Sequence, residues 1–460
     1  MGDIYANAAC TIAGTAAKDS SGGLFYDRCP ETLYPRRVDF GLNVKDPWLE
    51  EKSTGFPFVG AYLCDIQYLA QACIESAPLN KRAWVSQERQ LSHRLLHFTS
   101  TQLFWECNEC LACETYPEHL PPWARAFWRW DGTSLKNRVR DIIHKRKGDK
   151  SNCLTSTSLA RGLDEKTYFA WLTFRDQYSR SALTHGTDKL VAIQGIAKWV
   201  AQATGDELVA GLWLGHIIEE LCWRTEVSSS ETNAWRAPTW SWACSDGEVF
   251  LSLLSKFHRR HASRHIEAGL VEFNVRAEIS GELVHASMSI KCRPMQAIFT
   301  PATFQTLLHC EPREYPGTLE LVDQDGENCG SLPQFTTIDM EISMDRQITE
   351  ITNQQHGFVV VMQQCVHEWE SKTNHKTKGS ESQGREDDGE EGENDGKGAD
   401  RVSSKKVEPW DQDGAEALFL RTRDKITFER VGLISFRRFR AVNLILKAHR
   451  NAEERVITLI

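Results

Sequence analysis

Arg82-Ala83-Trp84-Val85-Ser86-Gln87-Glu88-Arg89-Gln90-Leu91-Ser92 is followed almost at once by Arg94-Leu95-Leu96-His97-Phe98-Thr99-Ser100-Thr101-Gln102-Leu103-Phe104-Trp105-Glu106-Cys107. The first stretch reads as a helix. No Gly or Pro interrupts it, and Asn80, after Pro78-Leu79, supplies an N-cap for a body over 81–91. The second alternates in period two on either side of Ser100-Thr101, which predicts a hairpin of strands 94–99 and 102–107 packed through Phe98, Phe104 and Trp105. On the helix, Trp84 and Glu88 stand one turn apart and share a face. A carboxylate desolvated beside an indole has a raised pKa, as an acid/base or ribose-binding group needs. The competing reading is a buried Glu88 paired with Arg82, Arg89 or Arg94, fixing the helix against the hairpin.

Upstream, 4–17 is small and apolar and runs into the turn cluster Lys18-Asp19-Ser20-Ser21-Gly22-Gly23. Pro30, Pro35 and Pro47 keep 28–49 from being one regular element. Downstream, Pro121-Pro122 opens a Trp-rich helix over 123–130, and another helix is predicted over 135–147. Leu190, Ile193, Ala197 and Val200 recur on one face of a helix from Asp188 that Gly205 ends. Asp206 then caps a second helix striped by Val209, Leu212, Trp213 and Ile217, with Gly211 and Gly215 permitting close approach of packed helices. Beyond Arg236 the texture changes. Runs at 270–279, 283–292, 318–322 and 358–363, resumed at 415–420, 427–434 and 456–460, predict an antiparallel β-rich region. Residues 371–408 are Gly, Lys, Glu, Asp and Ser almost without apolar side chains, the composition of a disordered acidic loop inserted into that region.

The chain of 460 residues is 41% hydrophobic and 25% charged, enough apolar content for packed cores in most of its length. Its net charge is −9, and residues 378–400 alone carry −6 of it, nine acids against three bases. The remainder is nearly neutral, so global charge argues for neither a nucleic-acid nor a membrane partner. The most apolar helix-like run, 208–218, has eleven residues where a membrane span needs about 20. The first basic residue is Lys18, no Asn-x-Ser/Thr site occurs, and the 14 cysteines are scattered, which together predict reduced thiols in a cytoplasmic protein.

Two clusters invite metal or phosphate readings. Cys107-Asn-Glu-Cys110-Leu-Ala-Cys113 has thiolate spacing suited to zinc or iron–sulfur, but no fourth Cys follows, and buried free cysteines are the commoner use. Lys256-Phe-His258-Arg259-Arg260-His261-Ala-Ser-Arg264-His265 could ligate a metal or meet phosphate, and reads by default as a solvated basic loop, as does Arg437-Arg438-Phe439-Arg440. Phosphate-loop, nucleophile-elbow, His-Glu-x-x-His and dinucleotide fingerprints are absent.

Taken in order, several blocks resemble the fungal heterokaryon-incompatibility (HET) domain family. They are Met1-Gly-Asp-Ile4-Tyr5-Ala-Asn7-Ala8-Ala-Cys-Thr11-Ile12, Arg82-Ala-Trp84-x-x-Gln87-Glu88-Arg89-x-Leu91-Ser92, and Leu96-His97-Phe98 with Gln102-Leu-Phe-Trp105-Glu106-Cys107. Then come Tyr178-Ser-Arg-x-x-Leu183-Thr184, Asp188-Lys189-Leu190-x-Ala192-Ile-x-Gly195-Ile-Ala197, Ala210-Gly211-Leu212-Trp213, Pro238-Thr239-Trp240-Ser241-Trp242-Ala243, Glu429-Arg430-Val431-Gly432 and Ile457-Thr458-Leu459-Ile460. The family's upstream Ser-Tyr-x-Trp-Gly and Trp-Ile-Asp-x-x-Cys-Ile-x-Gln segments are not in this sequence, so the expectation is a HET protein truncated at its N-terminus.

The resemblance implies an α+β protein. A partial α/β, TIR-like HET remnant would occupy 1–115, a helical region 116–235 and a β-rich region 236–370; the disordered acidic insertion would be 371–408 and the completing strands 409–460. It implies a role in nonself recognition and programmed cell death through protein partners, a second copy of the chain among the candidates. HET domains are similar to Toll/interleukin-receptor (TIR) domains, some of which cleave NAD with a Glu on a Trp-x-x-x-Glu helix. Carried over, that makes Glu88 a candidate catalytic residue and Trp84 and Gln87 candidate NAD contacts, with NAD as substrate rather than cofactor and no metal. The weakest alternative is a metal- or nucleic-acid-binding module at 107–113 or 256–265.

Overall fold

Val359-Val360-Val361-Met362 sits at the middle of the strand around which the C-terminal half is organised, and all four side chains are fully buried. Alternate residues along a strand point to opposite faces, and here each face has its own core: Val360 and Met362 join one cluster, Val359 and Val361 another. A strand buried on both faces loses the apolar–polar alternation. The computed structural model describes residues 2–28, 36–37, 62–63, 69–120, 134–148, 162–225, 235–250, 262–301, 317–322, 334–336, 340–345, 355–367, 414–422, 424, 426–436 and 438–460. The helix expected over 123–130, the proline breaks at Pro30, Pro35 and Pro47, the acidic insertion over 371–408 and residues 256–261 of the basic stretch lie outside the described residues.

The architecture is α+β. The N-terminal part has helix α1 (Gly2–Asn7), strand β1 (Thr11–Ala13), helix α2 (Ala83–Leu91) and strands β2 (Arg94–Phe98), β3 (Leu103–Cys107) and β4 (Leu111–Cys113). These strands form a sheet in the order β1-β2-β3-β4, with β1 parallel to β2 and the other pairs antiparallel. Helices α3 (Leu135–Gly148), α4 (Glu165–Ser179) and α5 (Gln194–Thr204) make the helical middle.

The large sheet comprises β5 (Ala262–Ile266), β6 (Gly269–Ala277), β7 (Leu283–Cys292), β8 (Met295–Pro301), β9 (Gly317–Leu321), β10 (Gln334–Thr336), β11 (Met340–Met344), β12 (Gln355–His367), β13 (Gly414–Thr422) and β14 (Thr427–Phe436). Helix α6 (Phe439–Asn451) and strand β15 (Arg455–Leu459) close the chain. The strand order is β6-β7-β15-β14-β13-β12-β8-β9-β10, with β5 also on β12 and β11 also on β14. Every pair is antiparallel except β14–β15, which is parallel.

Trp171, Trp213, Trp223, Trp240 and Trp242 pack with Met288, Ile290, Leu418 and Phe428 on one face of the large sheet. Val442, Ile445 and Leu446 of α6 cover the other against Phe299, Phe419 and Phe436. Each such burial contributes roughly 1.5–3 kcal/mol. Among the described residues no helix is long and apolar enough to cross a membrane.

The hairpin and the β-rich runs fall where the pattern predicts them, but three local readings need correction. Helix α2 starts at Ala83, not at 81: Arg82 is extended (φ −90°, ψ 129°), and its neighbours pair with another segment, Ala83 N–H donating to Ala182 O at 3.0 Å and Ala182 N–H to Lys81 O at 2.7 Å. Asn80 does not cap α2; its amide donates to Ile74 O at 2.7 Å. The helix expected after Asp206 is a hairpin, Leu208–Val209 with Leu212–Trp213, then a short 3-10 turn and a single helical turn, Ile217–Glu220. Ala210 (φ 47°) and Gly211 (φ 91°) make the tight turn, whose left-handed backbone matches strand twist. Asp206 instead accepts the backbone N–H groups of Leu163, Glu207 and Gly215. The region 409–460 holds not only strands but also α6.

A Cβ at Gly211 would lie 3.0 Å from both Leu190 Cδ2 and Trp242 Nε1, whereas one at Gly205 (φ 76°), past the end of α5, meets nothing within 4 Å. Gly205→Ala should therefore cost the left-handed penalty alone, about 1–2 kcal/mol, and Gly211→Ala more. Urea unfolding compares them, and equal losses would contradict the packed hairpin turn.

Candidate functional site

Helix α2 carries the three residues singled out for NAD chemistry, and the structure sends them to three different partners. Trp84 donates its indole N–H to Asp188 Oδ2 at 3.3 Å. Gln87, only 4% exposed, accepts the Gly195 N–H at 2.9 Å through Oε1. That approach requires glycine, since a Cβ at position 195 would sit 2.6 Å from Oε1. Glu88 lies beside the Tyr5 hydroxyl; burial and this carboxylate together raise the Tyr5 pKa. Trp84 packs against the helical core, while Phe98 of the hairpin packs edge-to-face on Phe25 at 5.7 Å. The spacing puts Trp84 and Glu88 on one helix, as predicted. Their surroundings do not converge on one ligand.

Two of the three arginines offered as partners for Glu88 go elsewhere. Arg94 reaches Ala9 O at 3.4 Å, and Arg89 pairs with Glu106 at 2.8 Å and Glu75 at 3.1 Å. Glu106 also meets His97 Nε2 at 3.2 Å, and His97 Nδ1 lies 2.9 Å from Thr15 Oγ1. Hydroxyl, imidazole and carboxylate thus stand in the order of a nucleophilic triad. Thr15 is fully buried, however, and the carboxylate is committed to Arg89, so the row ties α2 to β2 and β3. The sequence carries a signal for it: Leu95 faces Glu106 and His97 faces Phe104, which sets His97 and Glu106 diagonally on one face.

Burial would raise the Glu106 pKa, but the Arg89 charge, the His97 hydrogen bond and Lys136 hold it far below the usual carboxylate range. Such a group adds stability above its unfolded value and loses it as pH falls through the folded one. Glu106→Gln should cost about 3–5 kcal/mol at neutral pH by removing the charge that buried Arg89 and His97 share, leaving Arg89 with Glu75 alone. The gap from wild type should narrow in acid below about pH 4.5; urea midpoints at several pH values test this, and a pH-independent gap would contradict the assignment.

Beside the start of α2 lies a polar cavity of about 480 Å³, lined by Arg180, Lys189, Arg236, Asp246 and Glu248 with the 181–183 segment. Arg236 is paired with Asp246 and Arg180 with Glu248. Arg236 is held by the carbonyls of Ala243 (2.7 Å) and Cys244 (3.0 Å). Lys189 donates to Ser245 O and stands 5.4 Å from the centre of the Trp242 ring. Burial, then the Arg236 charge, push its pKa down to about 8. An amine that sheds its proton near that pH can serve as a base, while both arginines are already paired with carboxylates. Nothing in the sequence reading assigned Lys189 a role. The available signal is a lysine amid the buried run of Ala192, Ile193 and Ile196.

Cys107, Cys110 and Cys113 do not form one cluster. Cys107 and Cys110 share a turn, while Cys113 is buried in the small core with Phe104 and Leu111. Among the described residues no group of three or more His, Cys, Asp or Glu could hold a metal ion. His265 lies on β5 opposite Gln364.

Comparison with family models, curated proteins and solved structures returned no match.

The folded chain releases the Lys189 proton near pH 8, and the unfolded chain holds it to about 10.5. The Lys189 contribution to stability therefore rises between those values, by up to about 3 kcal/mol. Lys189→Met should remove that rise, which unfolding curves between pH 7 and pH 11 would show. Parallel wild-type and variant profiles would contradict a buried, proton-shedding lysine.

Proposed function

We propose that this chain is a HET-type protein of fungal nonself recognition and programmed cell death, acting through protein contacts. The observation that carries the reading is where the resembling blocks meet. Trp84 bonds Asp188, Gln87 bonds Gly195, Ser241 bonds Ala210 and Trp242 bonds Gly211. Thr239 meets both Ile460 and the backbone of Arg430. Each pair joins two blocks of the likeness, so the blocks make sense as one folded set. The parallel β1–β2 pair, with α2 between them in the chain, supports the TIR-like α/β reading of 1–115. Trp84 and Gln87 are used up inside the fold, which favours contacts over chemistry.

The surface assigned to those contacts is β6. Among the described residues it pairs with β7 alone, and it exposes Val271 (52%) and Phe273 (36%). An open strand edge of this kind takes a further strand from a partner or a second copy.

Induced expression in a fungal host should impair growth, and Val271→Lys with Phe273→Lys should relieve the defect at equal protein level. Unchanged viability with stable wild-type protein would sink the reading. The alternative is a NAD-cleaving hydrolase of TIR-like type using Glu88, supported by Trp84 and Glu88 one turn apart on α2. Nicotinamide release from NAD by the purified chain, abolished in Glu88→Ala, would put that reading first.

A further inference from the structure

The Cys107-Asn108-Glu109-Cys110 turn joins β3 to β4, closed by the Cys107 N–H donating to Cys110 O at 2.9 Å. The two Sγ atoms lie 3.7 Å apart, unlinked, and both side chains are partly exposed. Sγ of Cys107 accepts the backbone N–H groups of Glu109 and Cys110, each at 3.4 Å. A turn of four residues keeps its end Cα atoms within about 7 Å, inside the span that a disulfide bridges. Closing 3.7 Å to a bond of about 2.05 Å is then within reach of side-chain rotation.

The surroundings separate this pair from Cys73, Cys113 and Cys292. Burial works to raise the Cys107 pKa, but the two amides, the Cys110 thiol and Trp105 outweigh it and leave Cys107 below an ordinary thiol. Burial raises Cys73 and Cys113, and pushes Cys292 up to about 12. Asn108 and Glu109 form one wall of a second cavity of about 470 Å³, whose other lining includes Lys136, Arg140, His93 and Trp199. Two cations and an indole beside a thiol suit a small disulfide bearing carboxylates, with Glu109 the one acid in that wall.

We propose that Cys107 and Cys110 are a reversible redox dithiol, oxidised by a low-molecular-weight disulfide of the glutathione class. The Cys107 thiolate attacks one sulfur of the disulfide, forming a mixed disulfide and expelling one thiolate. Cys110 gives up its proton and attacks Cys107 Sγ. The Cys107–Cys110 bond forms, the mixed disulfide breaks, and a second small thiol leaves with that proton. Two protein thiols are oxidised and one disulfide is reduced to two thiols, so the exchange balances. The inference rests on the thiol turn and is independent of the HET reading.

The test uses the full chain, reduced and desalted, then exposed to oxidised glutathione, quenched with iodoacetamide and mapped by peptide mass. Wild type should yield the Cys107–Cys110 disulfide, and Cys110→Ser should accumulate glutathione on Cys107. In untreated wild type, Cys107 should alkylate at least about threefold faster than Cys10, the more exposed thiol. The proposal is overturned by alkylation of Cys107 no faster than Cys10, by glutathione on Cys10 but not Cys107 in Cys110→Ser, or by stoichiometric zinc in the reduced protein.

Discussion

A nine-residue helix has no independent stability in water, so α2 exists only because its two ends and two faces are held. Its start is fixed by the backbone bonds to Ala182, its Trp84–Gln87 face by Asp188 and Gly195, and its Arg89 side by Glu106 and Glu75. The N-terminal sheet and the helical middle therefore meet through this element. Desolvating Arg89 and Glu106 is costly, and a buried pair of this kind contributes little net stability. Its effect is positional: a helix shifted by one residue would pull Arg89 away from both Glu106 and Glu75. Gln87 on Gly195 enforces the same register by sterics, because any side chain at position 195 would collide with the amide.

The same logic of cover governs the large sheet. Its central strands bury apolar residues on both faces, so each face needs a layer. The tryptophan-rich helical middle supplies one, and α6 the other. Helix α6 also accounts for the one parallel pair of that sheet. A chain leaving β14 can return parallel through β15 only by crossing the sheet, and the thirteen residues of α6 make that crossing. Arg430, buried under the helical layer, lies 3.6 Å from the centre of the Trp223 ring and pairs with Asp345 at 3.3 Å, which pins the sheet to its cover.

Local pattern was enough where the chain makes its contacts within a few residues. The β2–β3 hairpin was readable because Arg94 to Cys107 alternates across a short turn, so each side chain's face follows from its parity. The 208–218 stretch was misread because Val209, Leu212, Trp213 and Ile217 are all buried at helical spacing. A tight hairpin followed by a single turn produces the same spacing, and only the left-handed Ala210-Gly211 pair separates the two. Helix α4 left no stripe to detect, since Tyr168, Ala170, Trp171, Leu172, Phe174 and Tyr178 are buried around its circumference. The candidate site was half legible. That Trp84, Gln87 and Glu88 share a helix is a local fact. That they face Asp188, Gly195 and Tyr5 depends on pairings across 104, 108 and 83 positions, which no spacing rule reaches.

The two cavities lie at opposite ends of α2. Ala182 and Leu183 line the polar one, and Ala182 is the residue bonded to Lys81 and Ala83 at the helix start. Gln90 and Leu91, the last turn of the helix, line the other, together with Asn108 and Glu109 of the thiol turn. Close-packed interiors transmit displacement rather than absorb it. A ligand that drew Lys189 or Arg180 into the first cavity would act on the 181–183 segment and hence on the start of α2. A disulfide closing the thiol turn would act on Asn108, on the wall of the second cavity, and hence on its end. Both events converge on a helix whose register is already fixed by Gln87 and Arg89. Any signal that this chain passes between its N-terminal sheet and its helical middle is therefore best sought in the position of α2 itself.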